Sequence, residues 1–262
     1  MVNEDRPIEI AWKIWAECLL GNDRNSIFQQ ISSMIWDTAI FRIVVESRQI
    51  QIESNQKNPK INGAYHSFID RNYFQSQVAC IRRLLDNSYP LTKKKAVYSL
   101  YSLIKDVRKY REELNREKFL ALRDMPYDYS EIKEKENTFF TQQTIGEGFF
   151  KPPELDWESI EEVHQLFDRL SGKTPETRHT DDVISDIVFM KLIEKLDEGN
   201  VISTYVDKFV AHSAAPESRD DLNSKNSNVT FEQLWKVHRN IYDPDSTSPN
   251  QSNCEIWLMA PL

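Results

Sequence analysis

The sequence predicts an all-α protein, an antiparallel helical bundle with an irregular, aromatic-rich middle segment. Three observations carry this. Only 6 of the 262 residues are glycine, so long stretches run without a breaker. Apolar residues in those stretches recur at three and four, the helical period. No strand–turn–helix repeat is visible, which argues against a Rossmann or barrel fold. The chain is long enough for one large core, and its composition is neither Gly-rich nor that of a wholly disordered chain.

The first helix is predicted over Ile8 to Leu20, with Trp12, Ile14, Trp15, Leu19 and Leu20 at helical spacing and Gly21 as its stop. The second opens at Ser26, which forms a capping box with Gln29, and runs to about Glu53. Its expected core stripe is Ile27, Ile31, Met34, Ile35, Thr38, Phe41 and Val45. The run IFRIVVE alone resembles a strand, but its unbroken flanks favour helix. The third spans Ala64 to Leu85, with Tyr65, Phe68, Ile69, Tyr73, Phe74, Val78, Ile81, Leu84 and Leu85 in register. Thr92 is the expected N-cap of a fourth, covering Ala96 to about Leu120.

The residues from about 121 to 156 read as a long ordered connection, with Phe139, Phe140, Phe149 and Phe150 pinning it to the body. Asp156 then caps a helix over Trp157 to Leu170. Thr180, followed by Asp181 and Asp182, caps one that ends at Gly199. Another covers Val201 to Ala214, before Pro216. A capping box of Thr230 and Gln233 opens the last, to about Tyr242. The whole chain, 1–262, reads as one domain with a C-terminal extension from about 216. Its ending, NCEIWLMAPL, is either an interface element or a cover for its own body.

The formal net charge is -8, against generic tight binding to nucleic acid. From Arg82 to Lys118, however, eleven Lys or Arg face five acids, a local balance of +6. Such a flank attracts RNA or an acidic partner, or is simply solvated. No apolar run is long enough for a membrane span, and the N-terminus lacks the pattern of a signal peptide. Cys18, Cys80 and Cys254 form no metal spacing, which fits a reducing, cytoplasmic setting; Cys80 reads as a small buried apolar residue. The common phosphate-binding, zinc, calcium and serine-nucleophile motifs are absent, and no cofactor or metal is expected.

Two regions stand out for chemistry. In VISTYVDKFVAH, Lys208 and His212 are four apart and share a helical face, with Asp207 to the side. A phosphate fits between such a pair, with the histidine moving a proton and the lysine neutralising charge. Equally, His212 reads as a helix-terminal histidine favoured by the dipole. In CIRRLLD, Arg82 and Arg83 are adjacent and point different ways, and Asp86 is an acid able to hold one of them. One arginine entering a groove and held by that acid, or a pair of surface or helix-to-helix salt bridges, both fit.

YHSFIDRNYFQSQVACIRRLLD followed far downstream by YVDKFVAH resembles the AbiU2-like branch of the HEPN superfamily, over roughly Trp12 to His212. The resemblance implies an all-helical, commonly dimeric protein in a phage-defence or toxin–antitoxin setting. Many members are metal-independent ribonucleases in which an arginine and a histidine act at an RNA phosphate. Carried onto this chain, the histidine is His212 and the polar residue is Asp207. The family's arginine falls at position 206, where Val206 stands. Lys208, Arg82 or Arg83 is then the substitute cation. The implied function is a non-catalytic HEPN-like protein binding RNA or a protein such as an antitoxin, with a homodimer among the expected assemblies. The alternative is a metal-independent endoribonuclease using His212.

Overall fold

The computed structural model describes residues 6–54, 62–87, 91, 97–142, 151–210 and 229–242. These form an all-helical bundle; among them the only β feature is an isolated antiparallel bridge between Asn115 and Val183. No described helix is long and apolar enough to cross a membrane.

Helix α1 (Ile8–Leu20) and α2 (Ile27–Ser54) stand as the spacing predicts. The Ser26 hydroxyl accepts from the Gln29 amide at the start of α2. Helix α3 (Gly63–Leu84) is capped by the Asn62 side chain, which accepts from the Tyr65 amide. Helices α2 and α3 are antiparallel, because their contacts run in opposite order. Thr38 meets Tyr73, Asp37 meets Ser76, and the Cys80 thiol donates to the Gln30 carbonyl. Cys80 is buried among apolar neighbours, as its context implied, and burial raises its thiol pKa.

The fourth predicted helix is corrected. It begins at Leu100, where the Ser99 hydroxyl accepts from the Ser102 amide, and ends at Lys109 (α4). The chain turns and restarts as α5 (Arg116–Ala121) under an Asn115 cap. The physical reason lies elsewhere in the chain. The Arg116 and Glu117 amides donate to the Asp182 and Thr180 carbonyls, not to helical partners. The Thr92 cap lies outside the described residues.

The middle tract is also more regular than expected, since Ser130–Gln142 is helical (α6). Phe139 and Phe140 are half-buried on it with ring centroids 5.6 Å apart; Phe149 and Phe150 lie outside the described residues. Helix α7 (Trp157–Ser171) starts at Asp156 and ends at left-handed Gly172. The next helix, α8 (Asp186–Asp197), starts five residues later than the Thr180 cap predicts. Asp182 is instead drawn inward to Arg116, and the Ser185 amide donates to the Leu170 carbonyl. Then come α9 (Asn200–Tyr205), a π-helical turn over Val206–Val210, and α10 (Phe231–Tyr242) under the predicted Thr230–Gln233 box.

Aromatic clusters fill the interior. Trp12, Trp15, Tyr110, Phe119 and Phe167 join α1, α4, α5 and α7 through edge and tilted contacts. A second cluster stacks Phe41 on Tyr73 at 3.9 Å and brings Phe231 of α10 beside both. The α2 stripe is partly reassigned: Ile27, Ile31, Met34 and Phe41 are buried, whereas Ile35 and Val45 are exposed. On α3, Tyr65 and Phe68 are likewise exposed.

Candidate functional site

The end of α3 and the π turn after α9 lie against each other. Val206 opens that turn with only 4% of its surface exposed, next to buried Ile202. A buried valine fixes the rotation of the turn, and so sets Asp207 on the outside, facing α3. There the Arg82 Nε donates to Asp207 Oδ1 at 2.9 Å, and Nη1 donates to Asp86 Oδ2 at 2.8 Å. Asp207 and then Asp86 raise the guanidinium pKa above its ordinary value, so Arg82 is cationic at every working pH.

The structure thus joins two of the candidate residues, Arg82 and Asp207. Asp86 serves Arg82, four residues back. Arg83 points away, as adjacency on a helix requires. It lines a cavity of about 340 Å³ with Asp23, Asn25, Gln30, Val97 and Tyr98. Lys208 is half-buried on the π turn. His212 lies outside the described residues, as do the chain from 211 to 228 and the C-terminal ending with Cys254.

A guanidinium flanked by two carboxylates is a poor anion trap. The trio of Arg82, Asp86 and Asp207 carries one positive charge and two negative ones. Position 206 is filled by a valine that is buried and has no hydrogen-bonding side chain.

The basic flank is largely paired. Arg108 makes a two-pronged contact to Asp186, both bonds at 2.7 Å. Arg111 contacts Glu112, and Lys118 contacts Glu9. Arg116 is wholly buried. Lys93, Lys94 and Lys95 lie outside the described residues.

Sequence reasoning missed the densest charge cluster in the fold. Arg116 Nη2 lies 2.8 Å from Asp168 Oδ1 and 2.9 Å from Asp182 Oδ2, and Nη1 donates to the His164 carbonyl at 3.1 Å. Arg178 bridges Asp168 to Glu161 and holds the Glu161 carboxyl well below its usual range, at about 2. These contacts lock α5, α7 and the loop before α8 together. Adjacent positions in sequence carry no signal for them, because the partners of Arg116 are 48 to 66 residues away and those of Arg178 are 10 and 17 away. Among the described residues no cluster of three metal-ligating side chains occurs.

Comparison of the chain with protein-family models, with curated proteins and with solved structures finds no match.

Proposed function

We propose that this chain is a non-catalytic, HEPN-like helical protein that works in the cytoplasm by binding RNA or a protein partner, in a defence or toxin–antitoxin setting. One observation carries the non-catalytic part. Arg82, the cation best placed to replace the family's arginine, is already held by Asp207 and Asp86. The burial of Val206 supports the same reading, since the backbone there is fixed by an apolar contact. The HEPN likeness itself rests on the residues of α3 and of the chain around Asp207.

A second reading, a metal-independent endoribonuclease, is favoured by the approach of Arg82 to Asp207, which sets a guanidinium beside the segment that leads to His212. Loss of a charge-bearing contact to the transition state typically costs on the order of 10²–10³ in rate. The two readings separate in one assay. RNA of varied sequence is incubated with purified protein in EDTA, beside the His212→Ala variant, and 2′,3′-cyclic phosphate ends are counted. The binding reading expects no cleavage above the variant's background. Cleavage by the parent that His212→Ala abolishes establishes the nuclease.

A further inference from the structure

We propose that the outer face of α2 is a self-association surface, through which two copies of this chain pack antiparallel about a two-fold axis.

The sequence of α2 carries two apolar stripes. Ile27, Ile31, Met34 and Phe41 follow one another at four, three and seven, and all are buried in the core. Trp36, Ile40, Ile43 and Ile50 repeat the same four, three, seven spacing, displaced by nine residues. Nine residues are two and a half turns at 3.6 per turn, so the second stripe lies on the opposite side of the helix. It faces solvent: Trp36 is 70% exposed, Ile40 59%, Ile43 63% and Ile50 64%. A helix that is apolar on both sides is ordinarily covered on both sides.

The size fits a second copy. Ile35 lies at one edge of the stripe, and across a groove of about 300 Å³ between α2 and α3 the exposed ring of Phe68 extends it. A large side chain offers roughly 150–250 Å², so these six residues expose about 700 Å² per copy. A stable interface takes about 800 Å² per partner. Single exposed apolar residues are normal on any protein, but a contiguous patch of this size marks a contact.

The charges are self-complementary. Arg42 and Glu46 are exposed on one flank of the stripe, and neither makes an ion pair among the described residues. Arginine preceding glutamate by four is the weaker order for pairing within one helix. In an antiparallel pair crossing near residue 44, each Arg42 lies beside Glu46 of the partner subunit. A lipid surface is disfavoured. Such helices are rich in Lys and Arg, whereas α2 carries Arg42 and Arg48 against Asp37, Glu46 and Glu53, and Arg48 is bound to Asp70 at 2.6 Å.

Sedimentation velocity on the full chain tests this. The parent is expected to sediment as a dimer at tens of micromolar. Ile43→Glu is expected to sediment as a monomer with unchanged helical circular dichroism, since the side chain is outside the core. Arg42→Glu and Glu46→Arg are each expected to weaken the dimer by roughly ten-fold or more through like-charge contacts. Mixed in equal amounts, these two variants regain dimer, because each supplies the charge the other lost. A monomeric parent, a dimeric Ile43→Glu, or a mixture that does not regain dimer overturns the proposal.

Discussion

Arg116 has no exposed surface, and every strong partner it has is charged or a backbone carbonyl. Truncation of such a side chain leaves Asp168 and Asp182 buried without their cation, the costly half of breaking a buried ion pair. Arg116→Ala is therefore expected to lower stability by about 3–5 kcal/mol, read from urea denaturation. Arg116→Lys is expected to recover little of this, since an ammonium cannot reach both acids and the His164 carbonyl with one rigid fork. His238 on α10 sets a pH dependence of a different origin. Burial lowers its pKa from the ordinary 6.5 to about 4, so the folded protein holds the neutral ring. Its contribution is complete above about pH 6.5 and is lost as the pH falls toward 4, because the unfolded chain takes up the proton first. Across that window the protein is expected to lose on the order of 3 kcal/mol. Urea midpoints measured from pH 7 to pH 4 check this, and His238→Leu is expected to flatten the curve. Glu161 acts lower, with stability lost as the pH falls from about 4.5 toward 2.

At the scale of elements, the junction of α8 and α9 turns on Gly199. A Cβ there would meet Leu85 Cδ1 at 2.2 Å and Val237 Cγ1 at 3.3 Å, so the glycine lets α3 and α10 close on this corner. Glycine to alanine at a relaxed helical position commonly stabilises by roughly 0.4–1 kcal/mol through the unfolded chain. Here overpacking outweighs that gain, and Gly199→Ala is expected to destabilise by about 1–3 kcal/mol in thermal or urea unfolding. The same elements show what the sequence made legible. Helices α1, α2, α3, α7 and α10 could be read from local chemistry, because periodicity, caps and breakers all lie within a few residues of each boundary. The break after Lys109 could not, since its cause is a pair of carbonyls at Thr180 and Asp182. Helix α6 hid for another reason. Its sequence is mostly polar, and its anchors are tertiary, with the Trp157 indole donating to buried Glu136. In the candidate site, adjacency foretold that Arg82 and Arg83 diverge. Asp86 holds Arg82, four residues back, and only the fold shows that the π turn brings Asp207 to the same guanidinium.

For the molecule as a whole, linear charge and folded charge differ. The balance of +6 between Arg82 and Lys118 looks like a basic flank in the sequence. In the fold, Glu9 from α1 and Asp168, Asp182 and Asp186 from the second half of the chain meet its cations Arg108, Arg116 and Lys118. A steering field for RNA thus depends on what remains unpaired after folding, not on the count. These long-range pairs also order events in time. Asp182 is made 66 residues after Arg116, and at about 5–20 residues per second the ribosome needs roughly 3–13 s to supply it. During that interval the corner between α4 and α5 has a guanidinium and two amide donors whose final partners do not yet exist. The α5 corner therefore closes only after synthesis has passed the loop before α8, and a nascent chain stalled earlier carries Arg116 without the acid it will meet there.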